Sequence, residues 1–152
     1  MQEDYVGKGR NIKQFPYNAP HLLDTINKKI LSYPADQVLY ITNRFLWEFI
    51  GHKKYLVSGL NQVSDHLFEK RRASCLSNSC LLEFLKEHQA KSLEIVGVDA
   101  NFCVNQSVLS SIVKGFHVTV DLSCLGVAKK QRFRKTLQEW QQHQVIIKGE
   151  ML

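Results

Sequence analysis

The sequence predicts an α/β protein: a three-layer α/β/α sandwich around a mostly parallel sheet, with Rossmann-like topology. Segments with the 3.6-residue period of amphipathic helices alternate along the chain with short runs of β-branched and aromatic residues. Such alternation is typical of βαβ units, in which right-handed helical crossovers join parallel strands. A length of 152 residues fits a single domain, residues 1–152.

The first half of the chain is predicted to contain one helix and two strands. Pro20 can occupy the first turn of a helix whose apolar face extends to Ile30. Residues 36–43 form a β-branched and aromatic run of strand length, and residues 66–70 form a weaker one. The hydrophobic pattern of the region between these two runs does not assign it to a helix or a strand.

The second half alternates more regularly. Asn78 or Ser79 can cap a leucine-rich helix. The strand after it is apolar enough to be buried on both faces, and Gly115 fits the C-cap of the next helix. The predicted elements are, in order, a helix after residue 78, a strand at 92–98, a helix at 103–113, a strand at 116–122, a helix at 129–143 and a strand at 145–148.

The net charge of +6 admits an anionic partner, but the positive charge is spread thinly. Its densest runs are residues 70–72 and 129–135. Phe133, Leu137 and Trp140 recur at helical spacing in and after the second run, which indicates a solvated helix face. The hypothesis of a basic nucleic-acid-binding module therefore rests on charge alone, and we expect no nucleic-acid partner.

Neither a membrane span nor an export signal is indicated. No apolar stretch approaches the roughly 18 residues that a membrane helix needs, and the polar start lacks a signal-peptide core. We therefore expect a cytoplasmic location and no membrane partner. The cysteines are scattered, without metal-ligand spacing, so we expect free thiols at Cys75, Cys80, Cys103 and Cys124.

Cys103 lies where a buried strand gives way to a helix N-terminus. In open parallel sheets, binding sites form at the carboxyl ends of strands. The amides and dipole of a helix N-terminus favour a thiolate nucleophile, and backbone N–H groups there can stabilise an oxyanion. A free cysteine is also a common small core residue. Position alone favours this second interpretation.

Two segments resemble a known family. Residues 93–120, LEIVGVDANFCVNQSVLSSIVKGFHVTV, resemble the signature of the isochorismatase-like cysteine hydrolases, a superfamily that includes nicotinamidases. Residues 68–76, FEKRRASCL, resemble its strand-end lysine, which has a serine four residues later. The resemblance extends from Met1 to about Ile147, and it implies that Cys103 is the nucleophile and Lys70 a catalytic lysine.

The resemblance also implies further features of the site. The Val98–Asp99 peptide bond is expected to be cis and, with Cys103, to turn backbone N–H groups towards the oxyanion. Candidates for the substrate pocket are Phe102, Asn101 and Ser74. Further aromatic candidates, for which core packing is the alternative, are Phe15, Tyr17, Phe45 and Trp47.

The implied activity is hydrolysis of a small amide, ureido or related C–N substrate by a homo-oligomer. Nicotinamidases of the superfamily carry an aspartate and two histidines in a short cluster. The corresponding region here offers His52, with His66 14 positions further on. We therefore expect no metal and no other cofactor, which weakens nicotinamide as the substrate.

The N-terminus departs from the family pattern. Family members begin with a strand that ends in an aspartate, the general base and acid, and a pair such as Met-Gln comes directly after it. Residues 1–7, MQEDYVG, correspond to the segment after that aspartate, and neither Glu3 nor Asp4 stands in its place. We therefore expect a chain truncated at the N-terminus. This expectation leaves open an alternative: a catalytically impaired remnant or pseudoenzyme that acts through oligomer contacts.

Overall fold

The α/β class is confirmed by a computed structural model, which describes residues 1–48, 51 and 53–150. No helix in that part of the chain has the length and apolarity needed to cross a bilayer. The elements are α1 (Glu3–Val6), α2 (Ala19–Leu31), β1 (Tyr40–Asn43), β2 (Leu67–Lys70), α3 (Ser79–Glu87), β3 (Ser92–Val98), α4 (Cys103–Val113), β4 (His117–Gly126), α5 (Lys130–Gln142) and β5 (Ile146–Lys148).

Helices α2 and α3 begin at asparagine side chains that cap them. The Asn18 side chain accepts a hydrogen bond from the backbone N–H of His21 at the start of α2, and Pro20 lies in the first turn. Of the two caps predicted for α3, the structure uses Asn78, whose side chain accepts from the N–H of Leu81. Each cap satisfies an N–H group that the helix itself leaves unpaired.

The strands pair in parallel, as predicted, but they form two separate sheets. One contains β1 and β2, and the other has the order β3-β4-β5. No ladder of hydrogen bonds joins β1 to β3 in the described part of the chain. The mostly parallel sheet of the prediction is therefore divided by a cleft between these two strands.

Two strand boundaries differ from the prediction. Strand β1 is shorter because residues Ala35–Gln37 form a 3-10 turn after Pro34. Strand β4 is longer and continues to Gly126, across a register shift opposite β3. A Cβ atom at Gly126 would lie 2.4 Å from Cγ1 of Val98, so the close approach of these two strand ends requires glycine.

The core lies in two clusters on opposite faces of the β3-β4-β5 sheet. One packs α4 and α5 against β4, with Val108, Phe133 and Trp140 almost fully buried. The indole N–H of Trp140 donates to Asn105 Oδ1 at 2.6 Å, so its burial leaves no polar atom unpaired. The other cluster packs the apolar face of α2, including Ile26, against β1 and β4.

A cluster of charged side chains links α2 to the second sheet. The ammonium of Lys29 lies 2.8 Å from Asp121 Oδ2 on β4 and 3.1 Å from Glu94 Oε1 on β3. Burial favours the neutral carboxyl at Asp121, but hydrogen bonds from Lys29 and Ser123 outweigh it and hold the pKa of Asp121 below its usual value. The hydrogen bond with Asp121 raises the pKa of Lys29 despite partial burial. This one cation therefore compensates two largely buried carboxylates.

We expect Lys29→Met to lower the free energy of unfolding by about 2 kcal/mol at pH 7, because it leaves Asp121 and Glu94 without their cation. The ionised Asp121 carboxylate stabilises the folded state fully above about pH 4. This stabilisation is lost as the pH falls through the lowered pKa of Asp121. The difference between the wild type and the variant should therefore shrink in acid. Urea denaturation at several pH values measures it.

The matched control is Lys28→Met on the same helix. Lys28 pairs with Asp24 at 2.7 Å, but both side chains are largely exposed, so the loss should stay below about 0.5 kcal/mol. Equal losses for the two variants would contradict a special role of Lys29.

Candidate active site

The carboxyl end of β2 and the first turn of α4 bring Lys70 and Cys103 together. The Lys70 Nζ lies 3.3 Å from the Cys103 Sγ. The ammonium also donates to Asn43 Oδ1 at 3.0 Å and to the carbonyl oxygen of Arg72 at 2.9 Å. Lys70 is only 6% exposed. Its three contacts use all three N–H bonds of the ammonium. Among the described residues, no carboxylate forms an ion pair with it.

Cys103 is the first residue of α4, at the end where the helix dipole is positive. Its residue is partly exposed, not enclosed in either core cluster. Its backbone N–H meets no acceptor in the described part of the chain, so this group is available to a ligand. The Ser107 hydroxyl donates to the Cys103 carbonyl oxygen at 2.7 Å and fixes the first helical turn.

The turn before Cys103 is built around Asp99. The Val98–Asp99 peptide bond is cis. The Asp99 carbonyl oxygen accepts from the N–H groups of Phe102 and Val104, and its carboxylate accepts from the N–H of Asn101 at 2.9 Å. Burial raises the pKa of Asp99, although the hydrogen bond that its carboxylate accepts from Asn101 opposes this rise. Asp99 thus organises the loop that holds the nucleophile candidate.

Three residues at the site were not identified from the sequence. Asn43, at the end of β1, accepts from Lys70 and donates from Nδ2 to the Tyr5 hydroxyl at 3.1 Å. The Gln2 side chain pairs with the Asn43 backbone, accepting from its N–H at 2.7 Å and donating to its carbonyl oxygen at 3.1 Å. Burial raises the pKa of Tyr5, and a negative charge on Cys103 adds to the rise.

The predicted pocket residues occupy different places. Asn101 is buried in the turn, where its side-chain amide donates to the Lys129 carbonyl oxygen at 3.2 Å. The Ser74 hydroxyl caps the turn after β2 by accepting from the N–H of Leu76. The Phe102 side chain is 42% exposed, and the Arg132 guanidinium lies 4.5 Å from its ring centroid. Phe102 therefore sits at the rim beside Cys103.

The other aromatic candidates lie further out. The Phe15 ring packs edge-on against Tyr5, with ring centroids 5.3 Å apart, and the Tyr17 hydroxyl donates to the Tyr5 carbonyl oxygen at 3.0 Å. The rings of Phe45 and Trp47 stack at 4.5 Å. Phe15 and Tyr17 thus support Tyr5, whereas Phe45 and Trp47 form a separate pair.

A cavity of about 200 Å³ opens beside the Lys70–Cys103 pair. Polar groups line the end at the pair, and apolar side chains of α3 and β3 line the rest. The combination of an apolar wall with a few convergent polar groups is typical of small-molecule sites. The polar lining residues are Gln2, Tyr5, Asn43, Lys70, Cys75, Glu94, Cys103 and Ser107.

The described residues contain no group of three or more His, Cys, Asp or Glu side chains placed to hold a metal ion. His66 instead packs its ring against Phe84. His52 lies outside the described residues. The functional groups next to Cys103 and Lys70 include amides and a phenol, from Asn43, Gln2 and Tyr5.

Comparison with known proteins identifies the family of this chain. The sequence profile of the isochorismatase domain matches residues 1–148. The chain belongs to the isochorismatase family. No curated protein sequence matches it significantly.

Solved structures of isochorismatase-like proteins share the fold at low sequence identity. The nicotinamidase of Staphylococcus aureus is 16% identical, with a TM-score of 0.71 over 96% of this chain and 92% of that one. An isochorismatase-like hydrolase of Alkaliphilus metalliredigens is 15% identical, with a TM-score of 0.75 over 97% and 89%. A zinc complex of the Pyrococcus horikoshii pyrazinamidase is 18% identical, with a TM-score of 0.70 over 100% and 95%.

The contact between Lys70 and Cys103 predicts a selective thiol reactivity. In Lys70→Met, the alkylation rate of Cys103 by iodoacetamide at pH 7 should fall about tenfold, because the nearby cation no longer stabilises the thiolate by Coulomb attraction. Peptide mapping by mass spectrometry measures the rate at each cysteine. Exposed Cys80 in the same molecule supplies the internal reference.

The matched variant is Lys86→Met, which removes an exposed lysine on α3. It should leave the Cys103 rate unchanged. If the Cys103 rate is also unchanged in Lys70→Met, Lys70 does not stabilise the Cys103 thiolate.

Proposed function

We propose that the protein is a cysteine hydrolase that cleaves a C–N bond in a small amide, ureido or related substrate. The observation that carries this proposal is the 3.3 Å approach of a buried ammonium, Lys70, to the Cys103 thiol at a helix N-terminus. A buried lysine without a carboxylate ion pair among the described residues is costly, and stabilising a thiolate nucleophile is a function that compensates this cost.

The proposed reaction begins with attack of the Cys103 thiolate on the substrate carbonyl carbon. A C–S bond forms while the carbonyl π pair moves to oxygen. The free N–H of Cys103 donates to this oxyanion, and the positive charge of Lys70 stabilises it. Collapse of the intermediate breaks the C–N bond and releases an amine, which takes up a proton.

Water completes the reaction. It attacks the thioester carbon, the carboxylic acid leaves, and the thiolate is restored. The aspartate that the family resemblance assigns as general base and acid is not a residue of this sequence, and that assignment stays a prediction. Among the described residues, none of the carboxylates hydrogen-bonds to Cys103.

The cavity supports a small substrate. Its volume of about 200 Å³ suits a compact molecule rather than a polymer. The side-chain amide of Asn43 can hydrogen-bond a carbonyl or amide group, and the apolar wall can pack against a short hydrocarbon part. Arg132 and Phe102 at the rim offer an additional contact for a flat or anionic portion.

The alternative of a non-catalytic remnant is not favoured. Such a protein would keep its fold without any need for a buried ammonium against a thiol, since a buried pair of polar groups can often be replaced as a whole by well-packed apolar residues without loss of stability. The close contacts of Lys70 with Asn43 and Cys103 instead support a retained catalytic arrangement.

The test is turnover of a panel of small amides and ureido compounds by the wild type and by Cys103→Ala. We expect at least about a 1000-fold loss of kcat/KM in the variant, because the substitution removes the attacking thiolate. The matched control is Cys80→Ala, which removes an exposed thiol and should retain full turnover. Thermal unfolding verifies that both variants fold. Equal turnover by the wild type and Cys103→Ala would reject the proposal.

A further inference from the structure

Cys75 is a second thiol beside the proposed nucleophile. It begins the 3-10 turn Cys75–Ser77, which follows β2 and packs against α4, whereas Cys103 is the first residue of α4 itself. Both cysteines are free, and both line the cavity beside Lys70. The proposed hydrolysis uses the sulfur of Cys103 and gives Cys75 no part. The site thus contains one nucleophilic atom that the proposed reaction leaves unused.

One hydroxyl group joins the two cysteines. The Ser107 hydroxyl donates to the carbonyl oxygen of Cys103 at 2.7 Å, and its oxygen accepts from the backbone N–H of Cys75 at 2.9 Å. The backbones of the two cysteines are therefore bridged by a single oxygen atom. A disulfide joins residues whose Cα atoms are about 4.4 to 6.8 Å apart. Two backbones bridged in this way lie close to that range, so a small movement of the 3-10 turn brings the sulfur atoms together.

The surroundings of the two sulfur atoms differ. The Lys70 ammonium lies 3.3 Å from the sulfur of partly exposed Cys103, where it stabilises a negative charge. Burial raises the pKa of the Cys75 thiol, and this effect outweighs the opposing contributions of the Ser107 hydroxyl and the Lys70 charge. The thiolate, and not the thiol, is the nucleophile towards an oxidant. Cys103 therefore reacts first, while Cys75 keeps its proton.

The other two cysteines are less well placed to pair with Cys103. Cys124 is fully buried on β4, within the core cluster that packs against α2. Cys80 is exposed in the first turn of α3. Among the hydrogen bonds of the described residues, those of Ser107 link Cys103 to Cys75 and to neither of these two. Cys75 is therefore the thiol that the fold holds next to Cys103.

We propose that Cys103 and Cys75 form a peroxide-reactive pair, in which a hydroperoxide oxidises Cys103 and Cys75 then closes a disulfide with it. An accessible reactive thiol with a second cysteine beside it is typical of redox-sensitive sites. The disulfide protects Cys103 from irreversible oxidation to the sulfinic acid. It also blocks attack on a substrate until a thiol reductant opens it. The first consequence is independent of the proposed hydrolysis, and the second rests on it.

Hydrogen peroxide illustrates the balance of the reaction. The Cys103 sulfur attacks one peroxide oxygen, an S–O bond forms and the O–O bond breaks, which leaves a sulfenic acid on Cys103. The hydroxide that departs becomes water with the proton lost by the Cys103 thiol. The Cys75 sulfur then attacks the sulfenic sulfur, so that an S–S bond forms and the S–O bond breaks. The second hydroxide becomes water with the Cys75 proton. The peroxide gains two electrons, and the two thiols lose them.

Peptide mapping of the oxidised full chain tests this proposal. The reduced protein is treated with a small excess of hydrogen peroxide at pH 7, its remaining thiols are alkylated, and it is digested with trypsin without reduction. Cys103 lies in the tryptic peptide 92–114, whereas Cys75 and Cys80 share the peptide 73–86. We expect a disulfide between these two peptides, and fragmentation should assign it to Cys75. Dithiothreitol should release both peptides as free thiols.

Two matched variants separate the cysteines of the peptide 73–86. Cys80→Ser should form the disulfide as the wild type does, because it removes only an exposed thiol on α3. Cys75→Ser should form none, and dimedone should trap at least about tenfold more sulfenic acid at Cys103 than in the wild type, because no second thiol consumes it. Thermal unfolding verifies that both variants fold. The disulfide in the wild type tests the proposal without any variant.

Three results would overturn the proposal. One is a wild type in which peroxide converts Cys103 to the sulfinic acid while Cys75 stays a free thiol. Another is a disulfide from Cys103 to Cys80, or between two chains, in place of the bond to Cys75. The third is a wild type in which both thiols stay free. None of these readouts uses turnover, so failure of this proposal is distinct from failure of the proposed hydrolysis.

Discussion

The contact between a buried ammonium and a thiol gives this molecule its chemical character. Lys70 and Cys103 are 33 positions apart, and they meet because β2 ends where α4 begins. The lysine is held there by Asn43 and by the carbonyl oxygen of Arg72, so its charge is directed at the sulfur. Partial burial lowers the effective dielectric around this pair, which strengthens the Coulomb attraction between an ammonium and a thiolate.

Parallel pairing is the constraint that assembles this site. Parallel strands end at the same edge of a sheet, so side chains at the ends of β1 and β2 converge. Asn43 and Lys70 are direct partners in the register between these two strands. The turn after β3 then brings the helix N-terminus of α4 to the same edge, and Gly126 permits the close approach of β4 that supports this turn.

Much of this arrangement could be predicted from the sequence. The alternation of periodic and β-branched segments indicated the α/β class, and the matching segments around Lys70 and Cys103 identified the two residues that the structure brings into contact. Gly115 and Asn78 marked helix ends because their conformational and capping preferences act locally. These features depend on short-range chemistry, which a sequence carries directly.

The remaining features depend on long-range packing. Asn43 and Tyr5 join the site through hydrogen bonds between residues 38 positions apart, and a lone polar residue at a strand end has no local signature. Gln2 is buried because its amide pairs with the β1 backbone, a role that no pattern predicts. The division into two sheets likewise depends on which edges find partners, and not on the propensity of any one strand.

Formation of a covalent acyl intermediate on Cys103 is the central chemical claim. The most direct measurement is acid quenching during turnover of an amide substrate, with peptide mass spectrometry of the quenched protein. We expect an added acyl mass on the peptide that contains Cys103, and we expect this adduct to be lost in Cys103→Ala. Turnover with no adduct in the wild type and an undiminished rate in Cys103→Ala would contradict the claim.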